Sequence, residues 1–590
     1  MSEKPKRSHV EELKEASRFL RGRLAEELTN DQPAFTEDTA QILKHHGSYQ
    51  QDDRDRRKDK GPDGKPLGKA YSMMVRVKVP GGKLTWRQLV AQLDLCDELG
   101  NATARITDRQ DLQLHGVVKG NLRETIRRVN EIQLTTLGAC GDVVRNVMTC
   151  PAPLHHDGIR EELQRAALEI TRHFLPRSGA YHEIWLTDPD SGEKQRVDEE
   201  PQSPAGEVEP IYGTTYLPRK FKFALALPDD NCVDVYTNDV GFLAATEQGR
   251  VVGYNVLVGG GLGVTPSNKR TFPALAQPLA YVPPEKLIPT AEAIVKVQRD
   301  FGNRTDRKRA RLKYVIADRG LDWFRGKVVE YLGEELAPPL PLRVTDHDDH
   351  IGWFAQGDGK WFYGLNVENG RILDRDGFRL KSALREICNR LQPGIRFTAH
   401  QSILFCDLEE SDRPTLEDIL RRHGVPLSEE ISTVRRWSMA CVALPTCPLA
   451  VTESERVLPE MMDHLERELA ALGLQDERFT VRMTGCPNGC ARPYNADIGL
   501  VGKTLNKYTI YLGGRLLGDR LGQIYQDVVP LDAVVPTLVP VLRLFAANRL
   551  PGESFGDFCH RLGMEAIRAV CAPNGTGEAA VVENETECES

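Results

Sequence analysis

Two pairs of cysteines set in turn-forming loops constrain this chain more than any other feature. The stretch from Ala440 to Leu500 opens Ala440-Cys441-Val442-Ala443-Leu444-Pro445-Thr446-Cys447-Pro448 and closes Thr484-Gly485-Cys486-Pro487-Asn488-Gly489-Cys490. The spacing is C-x5-C, roughly forty residues, then C-x3-C. Pro445, Pro448, Pro487, Gly485 and Gly489 hold the cysteines in turns rather than in regular elements. Four thiolates on rigid loops make a metal site. Structural zinc usually takes tight C-x2-C knuckles, and neither pair has that form. The wider gaps favour a bulkier cage, a [4Fe–4S] cluster. The competing reading, four buried or unpaired cysteines, leaves the shared Pro/Gly setting of both pairs unexplained.

The strings Cys441-Val-Ala-Leu-Pro-Thr-Cys447-Pro-Leu-Ala450 and Thr484-Gly-Cys486-Pro-Asn-Gly-Cys490 resemble the signatures of the sirohaem and iron–sulfur nitrite and sulfite reductases. The likeness is nearest to the haemoprotein (beta) subunits of its NADPH-dependent sulfite-reducing branch, and it runs from about Arg18 to about Gly563. The resemblance implies that Cys441, Cys447, Cys486 and Cys490 hold the [4Fe–4S] cluster. It also implies that Cys490 is the axial ligand of a sirohaem iron, so that one thiolate serves both cofactors.

A chain of 590 residues is too long for one core. Its 40% hydrophobic and 27% charged content and mean hydropathy of −0.41 are those of a water-soluble globular protein. A net charge of −8 argues against nucleic acid as a bulk partner. No apolar run approaches the roughly twenty residues of a membrane span. The N-terminus lacks the apolar core of a signal peptide, so a cytoplasmic protein is expected. Thirteen cysteines, an odd number and mostly scattered, do not form a disulfide framework.

In residues 9–29, Val10, Leu13, Phe19, Leu20, Leu24 and Leu28 face a charged side, which predicts an amphipathic helix packed on the body or on a partner. Residues 45–64 are rich in charge and read as a solvated connector. The acidic tail after Cys571 is expected to be disordered.

Between these ends the chain repeats its landmarks. Val75-Arg-Val-Lys-Val-Pro-Gly-Gly with Ile106 to His115 matches Tyr363-Gly-Leu-Asn-Val-Glu-Asn-Gly with Phe397 to Phe405. A second pair matches Phe221 through Gly263 to Val481 through Gly518, and only the later copy carries the cysteine signature. The expected fold is α+β, a pseudo-twofold repeat of a small ferredoxin-like half-domain plus a larger mixed α/β sirohaem-binding domain, with cofactors at the interface. The expected division is an N-terminal helix and connector (1–65), a half-domain (66–140), a large repeat (141–343), a second half-domain (344–425), the large repeat with the cysteines (426–570) and the tail (571–590).

Gly259-Gly-Gly-Leu-Gly263 invites a nucleotide reading, but G-x-G-x-x-G would need glycine where Val264 stands. No G-x-x-x-x-G-K-[ST] occurs either, so electrons must come from another protein. Arg76, Arg145, Lys220 and Lys222 punctuate apolar strands, and an alternating strand puts Lys220 and Lys222 on one face. Cations facing an enclosed space need anionic partners, although outward-facing sheet positions would explain each residue taken alone. Arg109, Gln113 and His115 at i, i+4 and i+6 of one strand would share a face. The run Asn303 to Tyr314 has the cation density of a phosphate or nucleic-acid site.

The resemblance gives these residues roles. Arg76, Arg145, Lys220 and Lys222 match family positions that line the sulfite pocket. Arg307 and Arg311 match positions that clamp sirohaem carboxylates, Asn488 matches one close to the haem, and Arg109, Gln113 and His115 are expected to bind the same cofactor, since Arg and Gln donors suit its carboxylates. The implied activity is the six-electron reduction of sulfite to sulfide, with electrons from an NADPH-oxidising flavoprotein (alpha) subunit in a hetero-oligomer. A ferredoxin-dependent sulfite reductase and a sirohaem nitrite reductase remain the near alternatives. A non-enzymatic metal scaffold would leave the basic strand residues unexplained.

Overall fold

The computed structural model describes residues 6–61, 64–66, 68–155, 158–178, 180, 185–187, 194–196 and 209–571, with the backbone alone at 185–187 and 194–196. The expectation of a disordered tail falls on 572–590, outside the described residues.

The two small repeats are built through each other. One antiparallel sheet runs Ser48–Asp52, Tyr71–Val77, Leu112–Val117, Ala104–Ile106 and Arg371–Ile372. Its counterpart runs Gly352–Ala355, Trp361–Leu365, Ile403–Leu408, Gly394–Phe397 and Lys83–Thr85. Each sheet therefore takes its last strand from the other repeat. The crossings are tight turns at Pro80–Gly82 and Glu368–Gly370, where Gly82 and Gly370 adopt φ of 77° and 72°. A Cβ on Gly82 would lie 2.2 Å from the Phe397 carbonyl, and one on Gly370 2.1 Å from that of Ile106, so glycine is required at both. Behind the sheets, helix Trp86–Glu98 starts at a Thr85–Gln88 capping box and buries Leu89, Leu93 and Cys96 at i, i+4 and i+7. Helix Leu380–Leu391, without a side-chain cap, buries Leu384, Ile387 and Cys388 at i, i+3 and i+4 from the other repeat. Both helices feed one continuous core.

The large repeats share a strand order. Phe223–Ala226 lies parallel to Val240–Glu247, and Arg250–Val258 and Gln277–Val282 follow antiparallel. The free flank of Phe223–Ala226 is covered by the segment around Val144 and Met148, which bridges it in parallel. In the second copy Ser438–Ala440, Val481–Thr484 and Ile498–Thr504 are parallel, and Lys507–Leu512 and Gln523–Pro530 complete the sheet antiparallel. Each copy has its own apolar core.

Helix Val534–Asn548 and its lead-in make Leu531–Asn548 long and apolar enough to cross a membrane, a run the hydropathy reading passed over. Val534, Leu538, Val541, Leu542 and Phe545 are buried in the second core, so that hydropathy is spent on packing within the protein.

Two expectations about the N-terminal region are corrected. The single helix over 9–29 is broken into His9–Ala16 and Leu24–Leu28, because Arg18, Phe19 and Leu20 take left-handed φ of 50°, 56° and 70°. The inner face of the first piece carries charge. Lys14 is fully buried, 2.7 Å from Glu11 and 2.7 Å from the Leu217 carbonyl, while Arg304 pairs with Glu11. The charged stretch after His45 is no loose connector: Ser48–Asp52 is a sheet strand, and Arg54 beyond it is tied to the cysteine loops.

Candidate active site

Both cysteine loops leave the carboxyl ends of adjacent parallel strands. Cys441 follows Ser438–Ala440, Cys486 and Cys490 follow Val481–Thr484, and Ala440 is paired with Met483. The loops are cross-tied: Cys441 N–H donates to the Met483 carbonyl at 3.2 Å and Val451 N–H to that of Gly485 at 2.8 Å. Arg54 arrives from the first half-domain and donates to the carbonyls of Pro445 (3.1 Å), Ala450 (2.9 Å) and Cys447. Gly485 N–H and the Asn488 amide donate to the sulfurs of Cys441 and Cys486, each at 3.4 Å. Burial, then the neighbouring Cys490 thiol, push Cys441, Cys447 and Cys486 up, Cys486 to about 11. Four thiols brought together on two cross-tied loops, three of them held protonated by burial and two met by N–H donors, fit a cationic iron–sulfur core, which favours their thiolates when it binds.

The Cys490 side of these loops opens on a cavity lined by Asp108, Arg109, Lys220, Lys222, Arg311 and Arg492 together with Asn488 and Cys490. Five cations face one acid. Lys220 and Lys222 flank Phe221, which turns into the core, so the alternation expected of the strand puts both on the cavity side although regular pairing begins only at Phe223. Burial, then Lys222 and Arg145, hold Lys220 well below the usual ammonium range. Burial, then Arg109, bring Lys222 to about 7. The buried Nε of Arg109 has no hydrogen-bond partner within the protein. Arg311 is paired with Asp239 at 2.8 Å and Arg492 with Asp234 at 2.9 Å, yet a lining this rich in cations, with the Arg109 donor orphaned beside a thiol, fits a polycarboxylate macrocycle whose iron takes a sulfur ligand.

The comparisons decide the family. The profile for the nitrite and sulphite reductase 4Fe-4S domain matches residues 140–336 and 432–575. The profile for the nitrite/sulfite reductase ferredoxin-like half domain matches 66–132 and 354–423. The chain belongs to the nitrite and sulfite reductase family. Among relatives, it is 44% identical to a sulfite reductase [NADPH] hemoprotein beta-component of Chromohalobacter salexigens, over 94% of this chain and 95% of that protein. It is likewise 44% identical to the protein of the same name from Myxococcus xanthus, over 95% and 98%. Identity is also 44% to a sulfite reductase [ferredoxin] of Synechococcus elongatus, over 95% and 90%. The solved structure of the Mycobacterium tuberculosis NirA protein superposes with a TM-score of 0.75 at 27% identity, covering 94% of this chain and 97% of that one. The α+β architecture of paired half-domains and large repeats is the family's fold, and the chain is an oxidoreductase of that family.

Within this nitrite and sulfite reductase fold, the residues singled out from sequence divide into three groups. Arg109, Lys220, Lys222, Arg311, Asn488 and Cys490 line the cavity together. Arg76, Gln113 and Arg145 stand behind it: Arg145 is 3.3 Å from the Tyr49 hydroxyl, Arg76 reaches the Gln113 amide oxygen at 2.6 Å in the amide's satisfied orientation, and the Arg145 charge acts on both lysines. Arg307 and His115 lie apart from the cavity lining. The Arg307 guanidinium is bidentate to Asp142, at 2.8 and 3.2 Å, in the network that holds Lys14. His115 is buried, and burial, then Arg371 and Arg105, hold it neutral with an unpartnered Nε2. Arg109 is not on the strand with Gln113 and His115, as its spacing predicted. The chain turns over Thr107–Asp111 with Gln110 at φ 60°, and the strand begins at Leu112. That turn points Arg109 at Asn238 (2.9 Å) and at the carbonyl of Asn146 (2.6 Å).

Sequence reasoning missed Arg492, Asp108 and Arg54. Arg492 sits at φ 57° two residues after Cys490 and pairs with the fully buried Asp234 of the other large repeat at 2.9 Å, next to Arg482 at 2.8 Å. Its closeness to the closing cysteine pair was the one available signal. The glycine run 259–263 has a packing role: a Cβ on Gly261 would strike the Arg311 guanidinium, and Val264 N–H donates to the Pro487 carbonyl at 2.9 Å, so the run seats one repeat against the cysteine loop of the other.

Proposed function

We propose that the chain is the haemoprotein (beta) subunit of an assimilatory sulfite reductase that takes sulfite to sulfide with six electrons from an NADPH-oxidising flavoprotein subunit. The observation that carries this reading is the convergence of Arg109, Lys220, Lys222, Arg311 and Arg492 on Cys490 in one cavity with Asp108 the one acid in its lining. The names of the relatives from Chromohalobacter and Myxococcus support it. Cys441, Cys447, Cys486 and Cys490 would hold the [4Fe–4S] cluster, and Cys490 would also hold the sirohaem iron. When bound, the two groups would supply single electrons and the iron at which sulfite is reduced.

The protein's own groups do the rest. Arg109, Arg311, Arg492 and Asn488 meet the macrocycle's carboxylates, where charge-assisted bonds fix orientation as well as affinity. Lys220 and Lys222 hold the sulfite dianion and hand protons to its oxygens, since an ammonium lowered by burial and neighbouring cations gives up its proton readily, and that of Lys222, at about 7, also recovers one. Arg145, from behind, helps keep the lysine pair acidic, and Arg145 and Arg76 together add attraction for the anion. Arginine stays charged, so these two steer and do not donate protons. Arg307 acts through Asp142 on the packing of the N-terminal helix. That helix is a part of the body rather than a docking arm for the flavoprotein, a reading supported by its buried Lys14–Glu11 pair. The compartment is the cytoplasm, which accords with cysteines that are all free among the described residues.

A visible spectrum of the purified protein, with turnover measured by three donors, tests this. Sirohaem gives an intense Soret band and a red band, and sulfite reduction is expected with reduced methyl viologen and with the flavoprotein plus NADPH. A spectrum without haem bands overturns the assignment. A second reading has the ferredoxin-dependent relative of Synechococcus elongatus behind it: full turnover with reduced ferredoxin and none with the flavoprotein would move the chain to that branch.

A further inference from the structure

The two large repeats superimpose a second group of ligands on the cluster cysteines. Phe223 pairs with Val240 as Val481 pairs with Ile498. Counting on from these partners, Cys232 stands eight residues before Val240, and Cys490 eight before Ile498. By the same register Asp230 occupies the place of Asn488. On the neighbouring parallel segment Met148 bridges Ala224 as Met439 pairs with Arg482, and two residues later come Cys150 and Cys441. The first repeat, expected from sequence to lack cysteines here, thus carries Cys150, Asp230 and Cys232 at the positions of Cys441, Asn488 and Cys490.

A fourth ligand joins them from the strap that leads into the second half-domain. The Nε2 of His350 lies 3.3 Å from the Cys150 sulfur and 3.1 Å from Asp230 Oδ2, and Cys150 is 2.8 Å from the same oxygen. All four ligand atoms fall within 4.8 Å of one another, and all four residues are buried. A four-iron cage needs thiolates spread around several metal atoms. Donors this close surround one ion. Two sulfurs, one imidazole nitrogen and one carboxylate oxygen are a tetrahedral set of the borderline-soft kind that zinc takes.

The surroundings suit an ion as well. The other ring nitrogen of His350 faces the half-exposed Asp348 carboxylate at 3.9 Å, an electrostatic neighbour beyond hydrogen-bond length. Asp230 keeps its second oxygen on the Cys232 N–H at 3.3 Å, and Arg160 stands 3.4 Å from the first. His350 is held at φ 57°, a left-handed conformation that costs a non-glycine residue about 1–3 kcal/mol and persists where something else demands it. Two thiolates and a carboxylate carry three negative charges, and one divalent ion with Arg160 carries three positive, so the buried site closes neutral once both thiol protons leave on binding.

We infer that Cys150, Asp230, Cys232 and His350 form a structural site for a single zinc-class divalent ion, the first repeat's counterpart of the cluster site, which pins the strap around His350 to the first large repeat. The strap is otherwise held there by backbone bonds such as Asn231 N–H to the Asp346 carbonyl at 3.2 Å. The site is independent of the proposed reduction, because none of its residues lines the cation cavity.

The test is metal analysis and zinc K-edge absorption on the holoenzyme purified without chelator. We expect about one zinc per chain beyond the iron of the cofactors, with a first shell of two sulfurs and two nitrogen or oxygen ligands. In Cys232→Ser and His350→Gln the zinc should fall at least about tenfold or the shell should change to match the lost ligand, while iron content and the Soret band hold. Holoenzyme with no zinc and no uptake of one added equivalent overturns the inference. So does zinc bound without sulfur, or a two-dalton mass loss that places a Cys150–Cys232 disulfide there instead. The native-protein measurement stands even where a variant does not fold.

Discussion

The guanidinium of Arg54 donates to the carbonyl oxygen of Cys447 across 393 residues of sequence, and closes the C-x5-C loop with further bonds to Pro445 and Ala450. A residue of the first half-domain thereby fixes the loop that carries two of the proposed cluster ligands. Each such charge-assisted bond contributes about 1.5–3 kcal/mol. Arg54→Ala is expected to lose iron and labile sulfide to a chelator at least about tenfold faster than the parent protein, with Arg54→Lys intermediate. Equal loss rates would show that the cysteine loop holds its shape alone.

Cys490→Ser should lower iron, labile sulfide and sirohaem together, because the proposal gives one thiolate to both cofactors. Quantifying all three on the same preparation checks this. A variant with a normal Soret band and normal sulfite reduction but no cluster removes Cys490 from the bridging role.

Lys222 supplies a pH signature. Burial, then Arg109, bring its ammonium to about 7. Its charge is thus present below that pH and lost above it, and anion affinity should weaken as pH rises through about 7. In a plot of kcat/KM for sulfite against pH, with methyl viologen as donor, Lys222→Met should flatten this limb. The same variant should lower kcat/KM roughly ten- to a hundred-fold while leaving the Soret band in place. An unchanged profile would put the titrating group elsewhere.

The N-terminal helix is anchored by a buried ion network, so Lys14→Met takes one cation from Glu11 and Asp142 and leaves them Arg304 and Arg307. Removing one partner of an isolated buried pair costs about 3–5 kcal/mol, and the remaining arginines make that an upper bound here. Thermal unfolding should shift down clearly, with viologen-driven and flavoprotein-driven activities falling in parallel. A selective loss of the flavoprotein-driven rate would instead restore the helix to a docking role.

Gly82→Ala and Gly370→Ala should destabilise the protein comparably, since each puts a methyl group within about 2 Å of the other repeat's backbone. Backbone strain at left-handed positions costs about 1–3 kcal/mol before any clash is counted. Denaturant midpoints of the two variants give the comparison, and a neutral effect at either glycine would mean that the strand exchange there is loose.

What the sequence determined by itself was carried by short-range signals. The Pro- and Gly-framed cysteine pairs, the repeated strand–turn–helix landmarks and the Lys220–Phe221–Lys222 alternation are local, and local chemistry suffices to read them: turn residues fix loops, and a period of two fixes a strand's faces. Tertiary structure decided whatever rests on distant partners. The spacing of Arg109, Gln113 and His115 read as one strand until the turn over Thr107–Asp111 moved Arg109 to another surface. Arg307 and Arg311 look alike four residues apart, yet Asp142 takes one and the cavity the other. The helix at Val10 showed an apolar pattern, while its binding face is a buried lysine whose partners are Asp142 and the Leu217 carbonyl. Cys150, Asp230, Cys232 and His350 are scattered over two hundred residues with no motif to join them, and only the parallel register of the first large repeat brings them to one point. A charge buried at close range is stable only with its particular counter-charge, and chain folding, not sequence proximity, supplies it.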